Sequence, residues 1–429
     1  MNEILKIFIY FILIMSVLNL LRMTIYLIGG DIYALKRTIR DKNSKKRSAY
    51  RPYVSLIVPA HNEEAVIYNT LECLLKIKYP KSRLQIIIVN DGSTDNTSKI
   101  VQKFIKAHKD TVNMQLYGQR NSGKANALNN AIKKRATGSL IMCLDADSLI
   151  AQDGVKKAVE YFRDKKVVAL ASNVNIIDNN TILGIAQRFE YLISYHMKKA
   201  QTVYNIEYII GGIGSMFRKK TLEQVQYYDT NTMTEDIDLT MKIVATGNIE
   251  NRVAYAADCI TYTEAVPSLS SLIQQRYRWK YGRLQTFVKH YRIFFSTKNI
   301  YSKQLTWLFL PFSLLMEILF ILEPIIVTYI IGSAIYYNRP KSLLMAVTVI
   351  SMYIWINIWS TYHLSLKEKA KLTFLAPSMY AVLYLLSLAE YMALLKTIIT
   401  LPNIKKSISG KKITWVSPER SGSAQGVIL

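Results

Sequence analysis

The chain has 429 residues, of which 50% are hydrophobic, and its mean hydropathy is +0.11. This apolar content excludes a disordered or collagen-like chain, and it is high for an enzyme without membrane segments. Lys and Arg number 55 against 30 Asp and Glu, which gives a formal net charge of +25. Such a basic excess attracts anionic partners: phosphate-rich substrates, acidic lipid headgroups or nucleic acid.

Four apolar stretches predict membrane helices. Residues 4–28 are almost wholly apolar, and crossing a hydrocarbon core of ~30 Å takes about 20 helical residues. A cleaved signal peptide is the alternative, but its apolar region would be shorter and no A-x-A site follows. Three further stretches follow at 305–336, 342–362 and 372–400, with Tyr and Trp near their ends, as at membrane interfaces.

Leu269 to Phe295 mixes aromatic, aliphatic and basic residues before the second of these stretches. Two interpretations stay open: an amphipathic segment lying on the membrane surface, or an ordinary surface helix.

Basic residues predict the topology, because Lys-rich and Arg-rich segments stay in the cytoplasm. The central region is strongly basic, and so is the loop around Lys367–Lys371, which places both inside. The lysines of the tail, residues 405–412, also favour the inside, yet three C-terminal crossings would leave them outside. Prolines and glutamates within 305–336 make that stretch the one expected not to cross simply. The three cysteines form no C-x-x-C pair and no complete disulfide framework, which agrees with a reducing compartment.

The central region alternates apolar strands with helices. Continuous apolar strands of this kind predict an α/β fold with a parallel sheet covered on both faces. Ligands bind such sheets beyond the carboxyl ends of the strands, where distinctive polar groups fall in this sequence. The predicted strands are Val54–Pro59, Leu84–Val89, Asn113–Tyr117 and Ser139–Leu144, and the polar groups are His61-Asn62-Glu63, Asp91-Gly92 and Asp145-Ala146-Asp147.

The two carboxylates of Asp145 and Asp147 directly follow a buried strand. At this spacing both can reach one hard cation, and Mg²⁺ or Mn²⁺ would then bridge the protein to substrate phosphates. The alternative is a cap for a helix over 148–162.

Two later motifs are also candidates. Thr234-Glu235-Asp236 is either a helix-capping acidic cluster or the location of a general base. Gln275 and Arg278 share a helix face at i, i+3, where Arg could bind phosphate and Trp279 could offer a flat face to a sugar ring. The alternative for Arg278 and Trp279 is anchoring at the membrane interface.

Two glycine-containing segments are not nucleotide motifs. Residues 118–124 satisfy G-x-x-x-x-G-K, but Ala125 stands where a Walker A loop needs Ser or Thr, so Lys124 remains only a candidate phosphate contact. Gly211–Gly214 lacks G-x-G-x-x-G and is interpreted as allowing close backbone approach to a ligand. No nucleic-acid recognition motif stands out, and no nucleic-acid partner is expected.

Seven motifs taken together resemble the membrane-embedded, processive family 2 glycosyltransferases, which include cellulose, chitin, hyaluronan and poly-N-acetylglucosamine synthases. The similarity is greatest to the bacterial poly-β-1,6-N-acetylglucosamine synthases, and it covers residues 50–300 at motif level. The motifs are, in chain order, VPAHNEE, NDGSTDNT, NSGKANALN, LDADS, GGIGSMFR, TEDIDLT and QQRYRW.

The resemblance implies a GT-A fold, a mixed and mainly parallel α/β sheet flanked by transmembrane helices. It also implies an inverting transfer from a UDP-sugar to a growing β-linked polysaccharide, with Mg²⁺ or Mn²⁺ as cofactor. The implied site residues are Ala60, Glu63 and Asp91 at uridine, Lys124 and Asp145 at the diphosphate, Asp147 at the metal, Asp236 as base, and Gln275, Arg278 and Trp279 at pyrophosphate and acceptor sugar.

The expected organisation is a bacterial, multi-pass plasma-membrane protein with a cytoplasmic catalytic domain. Its other partners would be the lipid bilayer and, as a candidate, a small accessory membrane subunit. The expected segments are a transmembrane helix (1–30), a GT-A domain (50–265), an amphipathic interface segment (266–300), about three transmembrane helices (305–402) and a basic tail (403–429).

Several alternatives remain open. Lys280-Tyr281-Gly282-Arg283 stands where close poly-N-acetylglucosamine synthases tend to have a small-residue segment, which leaves the sugar and linkage open. Other β-glycan synthases (glucan or hyaluronan-like), a non-processive transferase acting on a lipid, and a membrane scaffold with an inactive transferase domain are the competing interpretations.

Overall fold

The computed structural model describes residues 3–44, 48–177 and 181–410. The strands are β1 (Val54–Ala60), β2 (Leu84–Asp91), β3 (Asn113–Gln119), β4 (Leu140–Cys143), β5 (Leu149–Ile150), β6 (Val167–Ile176), β7 (Ser215–Arg218) and β8 (Arg252–Thr263). The helices are α1 (Glu3–Ser44), α2 (Ile67–Leu75), α3 (Thr97–Ala107), α4 (Lys124–Lys134), α5 (Gly154–Tyr161), α6 (Ile182–Tyr204), α7 (Lys219–Gln224), α8 (Glu235–Ala245), α9 (Leu269–Lys289), α10 (Leu310–Leu319), α11 (Glu323–Tyr336), α12 (Pro340–Ser360), α13 (Leu366–Leu375), α14 (Met379–Thr400) and α15 (Ile404–Gly410).

The strands form one mixed, mainly parallel sheet in the order β3-β2-β1-β4-β7-β6-β8-β5. Strands β1 to β4 pair in parallel, so their carboxyl ends meet at one edge. Strand β7 runs antiparallel between β4 and β6, and β6 pairs in parallel with β8. The four predicted strands are confirmed, whereas the sequence analysis did not predict β5 to β8.

Helices cover both faces of the sheet, as the continuous apolar strands require. Alternate residues of β1 point to opposite layers. Leu56 and Val58 belong to the core shared with α2, α3 and α5. Ile57 belongs to the second core, shared with α4 and α8, which continues into α9.

The N-terminal helix α1 contains the predicted apolar stretch but continues to Ser44. From Ile25 onwards it packs on α6 and the sheet: the Tyr204 hydroxyl donates to the Ile25 carbonyl at 3.0 Å. Further along, the Tyr33 hydroxyl donates to the Tyr255 carbonyl at 2.8 Å, and Arg40 pairs with Asp258 at 3.0 Å. The described contacts of α1 with the sheet and α6 thus lie in its second half.

Helix α9 occupies most of the predicted 269–295 segment and lies between the sheet domain and α14. On one side, the Gln285 side-chain oxygen accepts from the Met233 backbone at 3.0 Å. On the other side, Leu272 packs against Leu386 and Ala389 of α14. Helix α9 is therefore buried along two faces by protein, which neither of the two open interpretations anticipated.

Four runs of the described chain are long and apolar enough to cross a membrane: Ile9–Lys42, Gln304–Tyr336, Leu343–Ser360 and Ala381–Ile408. The run before Tyr336 is broken by a 3₁₀ turn at Phe320–Leu322, just before Glu323-Pro324, where proline cannot donate a helical hydrogen bond. Helix α14 begins at Met379 and not at residue 372, because a turn containing Pro377 separates it from α13.

Candidate functional site

A cavity of about 1500 Å³ opens at the carboxyl ends of the parallel strands and extends to the membrane helices. A pocket for one drug-sized ligand typically measures about 300–1,000 Å³, so this cavity has room for more than one ligand. Eight of the ten predicted site residues line it: Glu63, Lys124, Asp145, Asp147, Asp236, Gln275, Arg278 and Trp279.

Lys124 is the first residue of α4, and its ammonium lies 2.6 Å from the Asp145 carboxylate and 3.5 Å from that of Glu235. Burial alone would lower the pKa of Lys124, but these two carboxylates raise it above its ordinary value, so the ammonium stays charged. A cation fixed beside Asp145 can stabilise negative charge that develops on a phosphate.

Gly212 lies against this ion pair, and the predicted approach of the Gly211–Gly214 backbone to a ligand stays a prediction. A Cβ atom at Gly212 would lie 3.0 Å from the Lys124 nitrogen and 3.7 Å from the nearer Asp145 oxygen. Any side chain at this position would therefore crowd the pair.

Asp91 and Ala60 are the two predicted residues that do not line the cavity. Asp91 is fully buried, and its carboxylate accepts from the backbone N–H groups of Ser122 and Gly123 at 3.0 and 2.9 Å. Gln119 donates to the same carboxylate at 2.7 Å. Asp91 thus holds the loop that leads into Lys124, and its assignment to the uridine site stays a prediction.

The two acidic residues after β4 differ in exposure. The Asp145 side chain is 27% exposed, whereas Asp147 is 4% exposed and accepts from the Ser148 hydroxyl at 2.9 Å. Within the described residues, no group of three or more His, Cys, Asp and Glu side chains could hold a metal ion alone. Two hard carboxylates facing a cavity do fit Mg²⁺ or Mn²⁺, which commonly take their remaining ligands from water and substrate phosphates.

Asp236 lies in the first turn of α8 and is half-buried in the cavity wall. Burial, followed by the neighbouring Glu235 carboxylate, raises its pKa to about 7, although Lys124 opposes the rise. A carboxyl group with a pKa near neutrality can accept a proton efficiently at that pH. The chemistry of a general base therefore fits Asp236 better than a purely capping role.

The predicted triad of α9 shares the far wall of the cavity, where Gln275, Arg278 and Trp279 are lining residues. The sequence analysis missed Arg276, whose guanidinium carbon lies 4.4 Å from the centre of the Trp279 ring. The i, i+4, i+7 spacing of Arg276, Lys280 and Arg283 was the available signal, because it places three cations on one helix face.

The N-terminal and C-terminal apolar helices complete the cavity. Glu317 of α10 and Glu390 of α14 line it, together with Phe320 and Ser387. Arg22 of α1 also lines the cavity, and the sequence analysis had not made it a site residue. The space beside Trp279 is thus continuous with the space between the C-terminal helices.

Comparisons with known proteins agree with this geometry. Residues 55–226 match the family described as Glycosyl transferase family 2. A poly-beta-1,6-N-acetyl-D-glucosamine synthase of Staphylococcus aureus (strain COL) is 35% identical over 306 residues, which are 70% of this chain and 71% of that protein. The Staphylococcus epidermidis protein of the same name is 28% identical over 413 residues, covering 93% of this chain and 96% of its own length.

Among solved structures, the mannosyltransferase PcManGT from Pyrobaculum calidifontis, in complex with GDP-Man and Mn²⁺, matches with a TM-score of 0.52 and 20% identity. The match covers 88% of this chain and 98% of the other, and it supports the GT-A fold that the sequence predicted. With four helices suited to crossing a membrane, the protein is membrane-associated. The chain therefore belongs to glycosyl transferase family 2 and is a glycosyltransferase.

Proposed function

We propose that this protein is a processive, inverting glycosyltransferase that polymerises N-acetylglucosamine from its UDP-sugar into a β-linked polysaccharide and exports the polymer through its own membrane helices. The similarity to poly-beta-1,6-N-acetyl-D-glucosamine synthases, over almost the whole chain in one case, carries this proposal. The single cavity that joins the Lys124–Asp145 pair to the membrane helices supports it, because a polymerase must hold donor and acceptor together.

The proposed reaction is a single displacement. An acceptor hydroxyl oxygen forms a bond to the anomeric carbon while the bond from that carbon to UDP breaks, and the configuration inverts. Asp236 takes the hydroxyl proton, and Lys124 and Arg278 stabilise the charge that appears on the departing diphosphate. A divalent cation held by Asp147 and Asp145 would supply further charge neutralisation when bound. Ala60, Glu63 and Asp91 are assigned to the uridine end, with Gln275 and Trp279 at the acceptor end.

The proposed organisation keeps the expected segment boundaries and the cytoplasmic catalytic domain, but it reduces the crossings within 305–402 from about three to two. Contacts of the loop after α12 support one refinement of the topology. The His363 ring lies 3.0 Å from the Asn175 side chain, and Glu368 pairs with Arg188 at 2.9 Å. This loop therefore lies on the catalytic side of the membrane, so α10–α11 and α12 cross as a pair.

The chain after α14 also contacts the catalytic side. The Ser407 hydroxyl lies 2.8 Å from the Gln285 side-chain nitrogen of α9, and the Asn231 amide donates to the Ile408 carbonyl at 3.4 Å. Both ends of α14 are then on one side of the membrane, and α14 does not cross. This assignment places the basic tail inside, in agreement with the positive-inside rule, and it moves the non-crossing stretch from 305–336 to α14.

Cysteine labelling tests this topology, since the three native cysteines are buried. Tyr337→Cys should react with a membrane-impermeant maleimide from outside, because it follows α11 at the far side. Lys367→Cys and Ser423→Cys should react only when the cytoplasmic face is open to the reagent. Labelling of Ser423→Cys from outside intact cells would show that α14 crosses.

A metal prediction follows from the two carboxylates after β4. Asp147→Asn removes a ligand charge without changing side-chain volume, and UDP release should fall about 10²–10³-fold. Removal of divalent cations by EDTA should have a similar effect and be reversed by Mg²⁺ or Mn²⁺. Asp153→Asn, at an exposed ion pair with Lys157, is the control and should leave the rate unchanged. Full activity of Asp147→Asn would contradict the metal role.

The raised pKa of Asp236 predicts how the rate depends on pH. Only the ionised carboxylate accepts a proton, so kcat/KM should fall as the pH drops below about 7. Asp236→Asn should lower turnover by about 10²–10⁴-fold and remove this pH dependence, while UDP-sugar binding persists. Equal losses of binding and turnover would mean that Asp236 holds the structure or the metal.

Trp279 distinguishes an acceptor platform from a membrane anchor. An anchor tolerates Tyr, whereas a platform needs a ring of fixed area beside the reacting groups. We expect Trp279→Ala to abolish polymer while donor binding persists, and Trp279→Tyr to shorten the polymer. Trp307→Tyr is the matched control, because Trp307 is 46% exposed at the start of a membrane helix and should tolerate the change. Normal polymer length from Trp279→Tyr would favour anchoring.

A further inference from the structure

Three cations of α9 are held inside the protein by three carboxylates from different elements. Arg276 pairs with Glu190 of α6 and Glu390 of α14, Lys280 pairs with Glu390 and with Glu317 of α10, and Arg283 pairs with Glu317. We call these six side chains the α9 ion-pair ladder.

Arg276 is the member of the ladder closest to the proposed acceptor site. Its residue is 4% exposed, and its two terminal nitrogens donate to the two Glu190 oxygens at 2.8 and 2.7 Å. Its Nε atom lies 3.3 Å from Glu390. Because Glu190 and Glu390 bind the guanidinium along two of its edges, its plane has little freedom to rotate.

The guanidinium also contacts the Trp279 ring, with 4.4 Å between its carbon and the ring centre. Arg276 and Trp279 lie at i, i+3, so they are neighbours on the helix surface. A cation within about 6 Å of an indole centre is attracted to the ring, and the attraction is stronger where water is excluded. A fixed guanidinium therefore limits how far the indole can tilt.

We propose that Arg276 is a positioning residue that fixes the Trp279 ring for the acceptor sugar and ties its position to α6 and α14. This inference rests on the proposed function, in which Trp279 contacts the terminal sugar. Arg276 then acts through Trp279 on the acceptor side, whereas the Lys124–Asp145 pair lies on the donor side. Lys cannot replace Arg276, because an ammonium cannot form the bidentate pair with Glu190 and has no planar face to stack on the indole ring.

The test compares Arg276→Lys with Arg188→Lys. Arg188 of α6 pairs with Glu368 of α13 through one nitrogen at 2.9 Å, so its variant also changes an arginine–carboxylate pair between two elements, but Arg188 does not line the cavity. With UDP-N-acetylglucosamine and a short β-1,6-linked acceptor, Arg276→Lys should lower kcat/KM for the acceptor about 10–100-fold and shorten the polymer. The KM for the donor should not change. Arg188→Lys should match the unmodified protein in the acceptor kcat/KM and in polymer length.

A second readout does not depend on activity. In a background with Trp307, Trp355, Trp359 and Trp415 replaced by Phe, Trp279 is the remaining indole, and Arg276→Lys should increase its quenching by acrylamide. If Arg276→Lys does not fold, Glu190→Gln replaces it in this measurement. Glu190→Gln keeps Arg276 but removes its bidentate carboxylate partner, and it should also increase the quenching of Trp279 by acrylamide. If the unmodified protein makes no polymer, the proposed function is contradicted. The quenching measurement would still test whether Arg276 fixes the Trp279 ring. Acceptor kinetics and quenching equal to those of Arg188→Lys would overturn the inference.

Discussion

The position of α9 depends on charges buried at the boundary between the catalytic domain and the membrane helices. Removing a cation and a carboxylate from water costs several kcal/mol per ion after relaxation, and only close, well-formed pairs offset that cost. In the α9 ion-pair ladder, Glu390 and Glu317 are each shared by two cations. The helix that carries Gln275, Arg278 and Trp279 is therefore restrained from both sides, and sliding it in either direction would separate paired charges that are at most partly exposed.

The donor side of the cavity uses charge differently. Lys124 is placed between Asp145 and Glu235, so one cation moderates the repulsion among the acidic groups that surround it. The raised pKa of Asp236 follows from the same crowding, since burial and Glu235 both disfavour its ionised form. An anionic ligand entering this space would compete with Asp145 for Lys124. The site is consequently organised for exchange of a phosphate-bearing ligand, whereas the ladder is organised to stay in place.

The sequence predicted the parallel half of the sheet and most of the site because their signals are local. Continuous apolar strands precede each polar group, and Lys124, Asp145 and Asp236 each lie directly at the start or end of an element. Arg276 and Arg22 could not be assigned in the same way, because their significance depends on groups that meet only in the folded structure, such as Arg276 with Glu190 and Glu390. The same limit applied to α14. Its composition matches a membrane span, and only its contacts with α6 and α9 distinguish a helix that packs on protein from one that crosses.

The packing of α14 has a consequence for how the protein is made. Its partners on α6 and α9, among them Leu272 and Arg276, are synthesised before it. In the proposed topology, its apolar face docks onto a surface that the earlier part of the chain has already formed, as a late step of folding. Glu390 favours this order, because its two cations are in place when the helix emerges. Until α14 docks, the nascent protein would expose an apolar groove, and Arg276 and Lys280 would each lack one of their two carboxylate partners, so completion of the C-terminal region would decide whether the cavity closes.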